Sequence, residues 1–273
     1  MAAWLDIAKE VYAEVDRKKL PLVAAGVAFF GLLALFPGIG AMMALAGLFA
    51  DPAEVTRTLG TLDGILPQAA AQIITDQARE VAGTSGEGLG LVAGIGLLVT
   101  LYSASKGMQA LIDGLNIVHE RTDARGFLRQ TALKLMLTAG LILGVLLCVA
   151  VAVVVPVVLG WLPLARDAEW AITLARWPAL LAIAAAGIAL TYRVGPAGER
   201  APWRWILPGA ALACLAWLVG TGAFAIYVRM FGSYQETFGA LGGVVILLMW
   251  LWVSASIVLL GALVSRVLRA RAR

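Results

Sequence analysis

Six continuous apolar stretches run along the chain, at roughly Pro21–Ala50, Gly88–Ser105, Leu135–Gly160, Trp177–Tyr192, Trp205–Val228 and Gly239–Ser265, and every acidic and basic residue lies outside them. A helix needs about 20 apolar residues to cross a ~30 Å hydrocarbon core. Only helices and closed barrels satisfy their backbone polar groups there. Barrel strands alternate polar and apolar residues, whereas these runs of Leu, Val, Ile, Ala and Gly do not. The pattern predicts six membrane-spanning helices. The fourth is the shortest and must draw on residues from Ala171 onward, across Arg176 and Pro178, so a five-span reading drops it.

The polar segments carry patterns of their own. Within Asp51–Glu87 six acids face two arginines, and Leu66, Ala69, Ile73 and Val81 recur at helical spacing. This predicts an amphipathic helix, either a lid packed on neighbouring spans or a gating or partner-binding element. After the second span, Met108, Leu111, Leu115 and Val118 mark one apolar face while Lys106, Asp113 and Asn116 point elsewhere. That segment reads as an interfacial helix that continues the span and folds against the bundle, with Gly107 and Gly114 able to bend it. Met1–Leu20 repeats the theme with Leu5, Ala8, Tyr12 and Val15.

Charge then orients the chain, because Lys and Arg accumulate in cytoplasmic loops. Lys9, Arg17, Lys18 and Lys19, then Lys106, Arg121, Arg125, Arg129 and Lys134, then Arg193, Arg200 and Arg204, then Arg266, Arg269, Arg271 and Arg273 fall on one side of a six-span layout. Only Arg57, Arg79, Arg166, Arg176 and Arg229 fall on the other. Both termini are therefore expected in the cytoplasm. The net charge of +4 follows from these topology determinants and is not read as a nucleic-acid footprint. With 61% hydrophobic and 14% charged residues the chain cannot cover a soluble globule with polar surface. Met1–Leu20 lacks an apolar core, so the first span is expected to serve as an uncleaved anchor.

Chemistry is sparse. No span holds an ionisable acid or base, the usual mark of an ion pathway. Cys148 and Cys214 sit inside spans and read as packing residues, and His119 has no second His or Cys to form a metal set. Hydroxyls such as Ser105 and Thr138 are explained by bonds back to helix carbonyls. Gly90/Gly94, Gly140/Gly144 and Gly239/Gly243 have a spacing that permits close helix approach. Pro37, in the middle of a long first span, is expected to divide it into two segments meeting at an angle, as a harmless kink or as part of a substrate path.

Four segments resemble the YihY/BrkB family of bacterial inner-membrane proteins, over nearly the whole chain. They are Ala24–Pro37, ending in Phe-Pro; Tyr102-Ser-Ala-Ser-Lys106 through Leu115-Asn116; Tyr192-Arg193 with Trp203-Arg204, Leu207–Ala210, Trp217 and Phe224–Tyr227; and Phe238–Gly242 with Trp250-Leu-Trp252 and Leu259–Ala262. Ala34 stands where the family typically shows serine, and Leu263 where it usually carries glutamate. Family members carry ribonuclease, virulence or serum-resistance names, and a role in moving lipid or another envelope component has been suggested for them.

The expectation is an all-α polytopic membrane protein with six transmembrane helices and amphipathic interfacial helices. It forms one membrane domain over 1–273, with a cytoplasmic amphipathic segment at 1–20, a periplasmic helical loop at 51–87, a cytoplasmic helical loop at 106–134 and a basic tail at 266–273. The resemblance and the uncharged spans point to a transporter or flippase of lipid or a lipophilic envelope component, the alternative being a non-transporting scaffold for envelope assembly. Membrane lipids and envelope proteins are the expected partners, with no nucleic acid, no cofactor, no metal and no catalytic residue. Pro37 is placed on the substrate path. Lys106, Asp113 and Asn116 are placed at its cytoplasmic mouth, their other role being to anchor and cap the interfacial helix.

Overall fold

The computed structural model describes residues 2–49, 88–161, 166–230 and 240–272. They form seven helices: α1 (Ala2–Arg17), α2 (Leu20–Phe49), α3 (Gly88–His119), α4 (Phe127–Trp161), α5 (Arg166–Val194), α6 (Trp203–Met230) and α7 (Ala240–Arg271). No strand occurs among the described residues. The helices α3 to α7 are each long and apolar enough to cross a membrane, and six spans result if α1 and α2 count as one broken span. The doubtful fourth stretch is thus the body of a 29-residue helix that holds Pro178 in its interior.

One expectation is corrected. The first span is not divided at Pro37, because α2 runs through that position as one helix. A proline removes a single ladder bond, and neighbouring bonds can hold the helix together; Pro178 and Pro208 also lie inside helices. The interruption falls instead at Lys18–Lys19, where Lys19 adopts φ 49° and its N–H bonds the Asp16 carbonyl. α3 continues unbroken through Gly107 and Gly114 to His119, a short loop follows, and α4 begins at Phe127. The face of Met108, Leu115 and Val118 is buried in protein together with Ile112, which explains why the helix has no reason to turn onto a lipid surface. The amphipathic helix expected within 51–87 lies outside the described residues.

The helices pack as two compact units, one of Met1–Leu20, Ile112–Leu218 and Ile257–Arg273, the other of Pro21–Leu111 and Val219–Ser256. In the second, Ala24 and Ala28 bury one face of α2, and Gly107 of α3 lies where an added Cβ would rest 3.6 Å from Phe30. Trp252 donates its indole N–H to the Pro21 carbonyl and Trp250 donates to the Thr221 hydroxyl. Lipid offers no acceptor, so indole donors in such a protein need partners of this kind.

The first unit is organised by a close helix crossing. Gly209 of α6 and Gly261 of α7 meet backbone to backbone, and a Cβ built on Gly261 would stand 2.6 Å from Ala213 and from the Tyr192 hydroxyl and 2.7 Å from the Gly209 carbonyl. Tyr192 completes the crossing by donating its hydroxyl to the Val258 carbonyl. Around it Ile112, Leu115, Val118, Ile206, Leu259 and Leu263 are fully buried. The glycines singled out by four-residue spacing behave differently: a Cβ on Gly94, Gly140 or Gly144 would meet nothing within 4 Å. Those positions join a surface on which Leu141, Leu143, Leu146 and Leu147 of α4 and Leu215 and Val219 of α6 are exposed. Such apolar area is incompatible with water and fits lipid as the solvent.

Candidate functional site

Among the described residues, two groups of polar side chains from outside the spans meet in the first unit. The loop Gly195–Glu199 between α5 and α6 is held by three side chains from the end of α3 and the loop beyond it. Asn116, buried, accepts the Ala197 N–H at 2.7 Å. Arg121 donates to the Ala197 and Glu199 carbonyls, and Arg125 to those of Val194, Gly195 and Pro196. Gly198 is required here: its φ is +85°, and a Cβ would collide with the Arg121 guanidinium at 2.2 Å. Beside the loop, the Arg193 guanidinium stacks on the Trp203 ring at 4.3 Å.

A second cluster joins α1, the α3 terminus and α7. Glu14 pairs with Arg17 at 2.6 Å and with Arg266 at 2.9 Å. Glu120, in the left-handed region at φ 53°, receives Arg17, Lys18 and Arg266 at 2.6, 2.7 and 2.9 Å. The Lys18 side chain is 6% exposed and also bonds the Ile117 carbonyl, so it is the member that most needs its partners. Further along, Arg271 reaches Glu10 at 2.7 Å.

Hydrogen bonding from Lys18 holds the Glu120 carboxyl below its ordinary value. Burial pushes Glu14 upward, but the bonds from Arg17 and Arg266 and the charge of Lys18 outweigh it and lower this carboxyl too. Groups with lowered folded values contribute stability that is present above the unfolded value, ordinarily 4.5, and lost as pH falls through the folded one. Glu120→Gln should therefore melt below wild type at pH 7, and the gap should close under acid conditions. A gap that persists unchanged at pH 3 would show that the carboxylate charge is not what matters.

Arg266 also faces a cavity of about 200 Å³. Its lining includes His119, Arg121, Arg266 and Arg269, with no carboxylate among the lining residues. Tyr192, Trp205, Ile206 and Ala262 also line it. The His119 ring nitrogen Nδ1 lies 2.9 Å from the Leu115 carbonyl, which can only accept, so Nδ1 carries the proton. Among the described residues Arg269 makes no hydrogen bond or ion pair. No group of three or more His, Cys, Asp or Glu able to hold a metal occurs among the described residues.

The sequence-predicted site residues do not gather at one point of this geometry. Asn116 is the buried loop clamp, Asp113 is exposed on α3, and Lys106 lies over the Tyr102 ring at 5.4 Å, one helical turn away. Pro37 lies on α2, and its side chain is outside the described residues. The cavity residues Arg121, Arg266 and Arg269 had been read only as topology determinants. Their signal was present in the last turns of α7, where Arg266 and Arg269 share a face at i, i+3 with no acid nearby in sequence.

Comparison with known proteins adds the family context. Residues 11–273 match the family described as virulence factor BrkB. A putative ribonuclease-like protein, YfkH, of Bacillus subtilis (strain 168) is 26% identical over 96% of this chain and 95% of its own length. A UPF0761 membrane protein of Cronobacter sakazakii is 30% identical over 96% of this chain and 87% of its own length. Another, of Tolumonas auensis, is 43% identical over 28% of this chain and 25% of its length. No solved structure matches.

Proposed function

The chain belongs to the virulence factor BrkB family, and from that premise we propose that it is a multi-pass inner-membrane protein that moves a lipid or a lipophilic envelope component. The observation that carries this reading is the mixed lining of the cavity, in which the basic side chains of His119, Arg121, Arg266 and Arg269 meet Tyr192, Trp205 and Ile206. An amphiphile carries the same combination of anionic or polar and apolar groups that such a lining can accept. The surrounding spans expose leucines to lipid, so such a molecule need not pass through water to reach the protein.

The proposed orientation has both termini and the cavity at the cytoplasmic face. It is supported by the excess of Lys and Arg in alternate loops. It is supported as well by contacts: the segments assigned to that face by charge, namely α1, the loop after α3, the Gly195–Glu199 loop and the end of α7, are joined by hydrogen bonds and ion pairs. The ribonuclease-like name printed for the Bacillus subtilis relative stays with that protein.

Reconstitution provides the test. Vesicles containing the purified chain are expected to move a fluorescent phospholipid between leaflets faster than protein-free vesicles, as read by dithionite quenching. Equal rates across headgroup types and membrane potentials would remove the transport reading and leave the scaffold.

A further inference from the structure

We propose that the cavity binds a phosphate ester, its oxygens held among Arg121, Arg266 and Arg269 and its organic part lying on Trp205 and Ile206. This rests on the reading above and narrows it to a substrate class: amphiphiles or esters whose polar part is an anionic phosphate with no compensating cation, since a choline ammonium would be repelled by the same arginines. Three guanidinium groups share one small space whose lining holds no carboxylate. Like charges so placed repel unless an anion joins them. The protein supplies only part of that anion. Glu14 and Glu120 lie against Arg266, while Arg269 has no partner among the described residues.

Donors are available. Arg121 contacts the Gly195–Glu199 loop through Nη1 in both of its bonds, and a guanidinium carries five N–H donors in a planar fork. That fork matches the edge of a phosphate, and three guanidiniums lining one cavity offer more donors than the two oxygens of a planar carboxylate can share. With Nδ1–H of His119 committed to Leu115, the remaining ring nitrogen of the neutral imidazole is an acceptor. It suits a protonated phosphate oxygen or a headgroup hydroxyl. The volume sets a limit: at about 200 Å³ the cavity is below the roughly 300–1,000 Å³ of drug-sized sites, so it admits a headgroup and leaves acyl chains outside. Trp205, with Arg204 over its ring at 5.4 Å, is the kind of residue that sits at the headgroup level of a bilayer.

The test is equilibrium binding to the full chain in neutral detergent, with phosphatidylglycerol, phosphatidylcholine, glycerol 3-phosphate and a short RNA as separate ligands. Phosphatidylglycerol is expected to bind at least about tenfold more tightly than phosphatidylcholine, and Arg269→Gln to weaken it by about tenfold. Arg129→Gln, which removes an exposed charge of α4 outside the cavity, should leave binding unchanged. Ala270→Glu, at the exposed rim, should reproduce the loss by adding a carboxylate, which guards against a folding defect in the first variant. Glycerol 3-phosphate binding as tightly as the lipid, with the same sensitivity to Arg269→Gln, would uphold the phosphate site and assign it to a soluble ester. The proposal is overturned if Arg269→Gln and Arg129→Gln bind alike, if the two lipids bind alike, or if RNA binds most tightly. Phosphatidylglycerol binding without leaflet exchange in vesicles would remove the transport reading alone, whereas leaflet exchange with no Arg269-dependent binding would remove this assignment alone.

Discussion

Gly261→Ala is expected to lower the melting temperature of the purified protein far more than a methyl group added at Gly140 or Gly144 of α4. The new carbon would have to occupy space already held, at 2.6–2.7 Å, by Ala213, the Tyr192 hydroxyl and the Gly209 carbonyl. Two of these belong to packed or hydrogen-bonded groups and one is backbone, so α6 and α7 must move apart. Overpacking of this kind costs typically 1–3 kcal/mol, and about 3 kcal/mol is expected here because the Tyr192 bond to Val258 would be disturbed as well. Gly140→Ala and Gly144→Ala provide the contrast. Nothing lies within 4 Å of either position, and Ala is the better helix former, so both should melt at or slightly above the wild-type temperature. Tryptophan-fluorescence melts in one detergent would decide the matter; three equal melting temperatures would mean that the crossing is not a tight one.

Removal of Arg125 should be nearly as damaging. Its guanidinium satisfies the carbonyls of Val194, Gly195 and Pro196 where α5 ends, and those groups are left without that donor in Arg125→Ala. Bonds from a charged donor contribute roughly 1.5–3 kcal/mol each at best, so a loss of about 3 kcal/mol is expected for the set. Arg125→Lys should recover only part of it, because an ammonium cannot reproduce the planar fork. Asn116→Ala removes the acceptor of the Ala197 N–H in a buried place and should cost about 1–3 kcal/mol. The checks are melting temperature and the rate of proteolysis within Gly195–Glu199. Activity falling in Asn116→Ala without either of these changing would return that residue to the substrate path.

The spans were legible because lipid imposes a single rule, apolar side chains outward and backbone bonds internal, and the six stretches obey it from Pro21 to Ser265. The loops obeyed no such rule. Met108, Leu115 and Val118 read as an apolar stripe of a helix folded against the bundle, and their burial supplies what periodicity alone leaves open, that protein rather than lipid covers the face. The spacing of Gly140 and Gly144 marked no close approach for a related reason: Gly209 and Gly261 make theirs with each other, across helices, and nothing in the spacing along one helix records that. Pro37 drew attention as a breaker, yet the chain breaks at Lys19, whose positive φ has no strong sequence mark. The basic cavity was hidden by a sound inference. Arginines that orient a membrane protein also line its polar surfaces, and charge counting cannot separate the two roles.

The cluster around Glu14 carries, in its three partners, an order of events during synthesis. Arg17 and Lys18 lie within one helical turn and can pair with Glu14 as soon as α1 forms. Glu120 reaches Lys18 from 102 positions further on, once α3 has been made. Arg266 arrives 252 positions after Glu14, and Arg271 261 positions after Glu10, only when the final span is in place. The first segment of the chain thus waits, locally paired, for the last, and the last helix inserts into a bundle whose opening clasp is still undone. Closing a contact over so long a separation comes late in folding. A nascent chain interrupted before residue 266 would leave Glu14 with its early partners alone, and α1 exposed to whatever recognises unfinished membrane proteins.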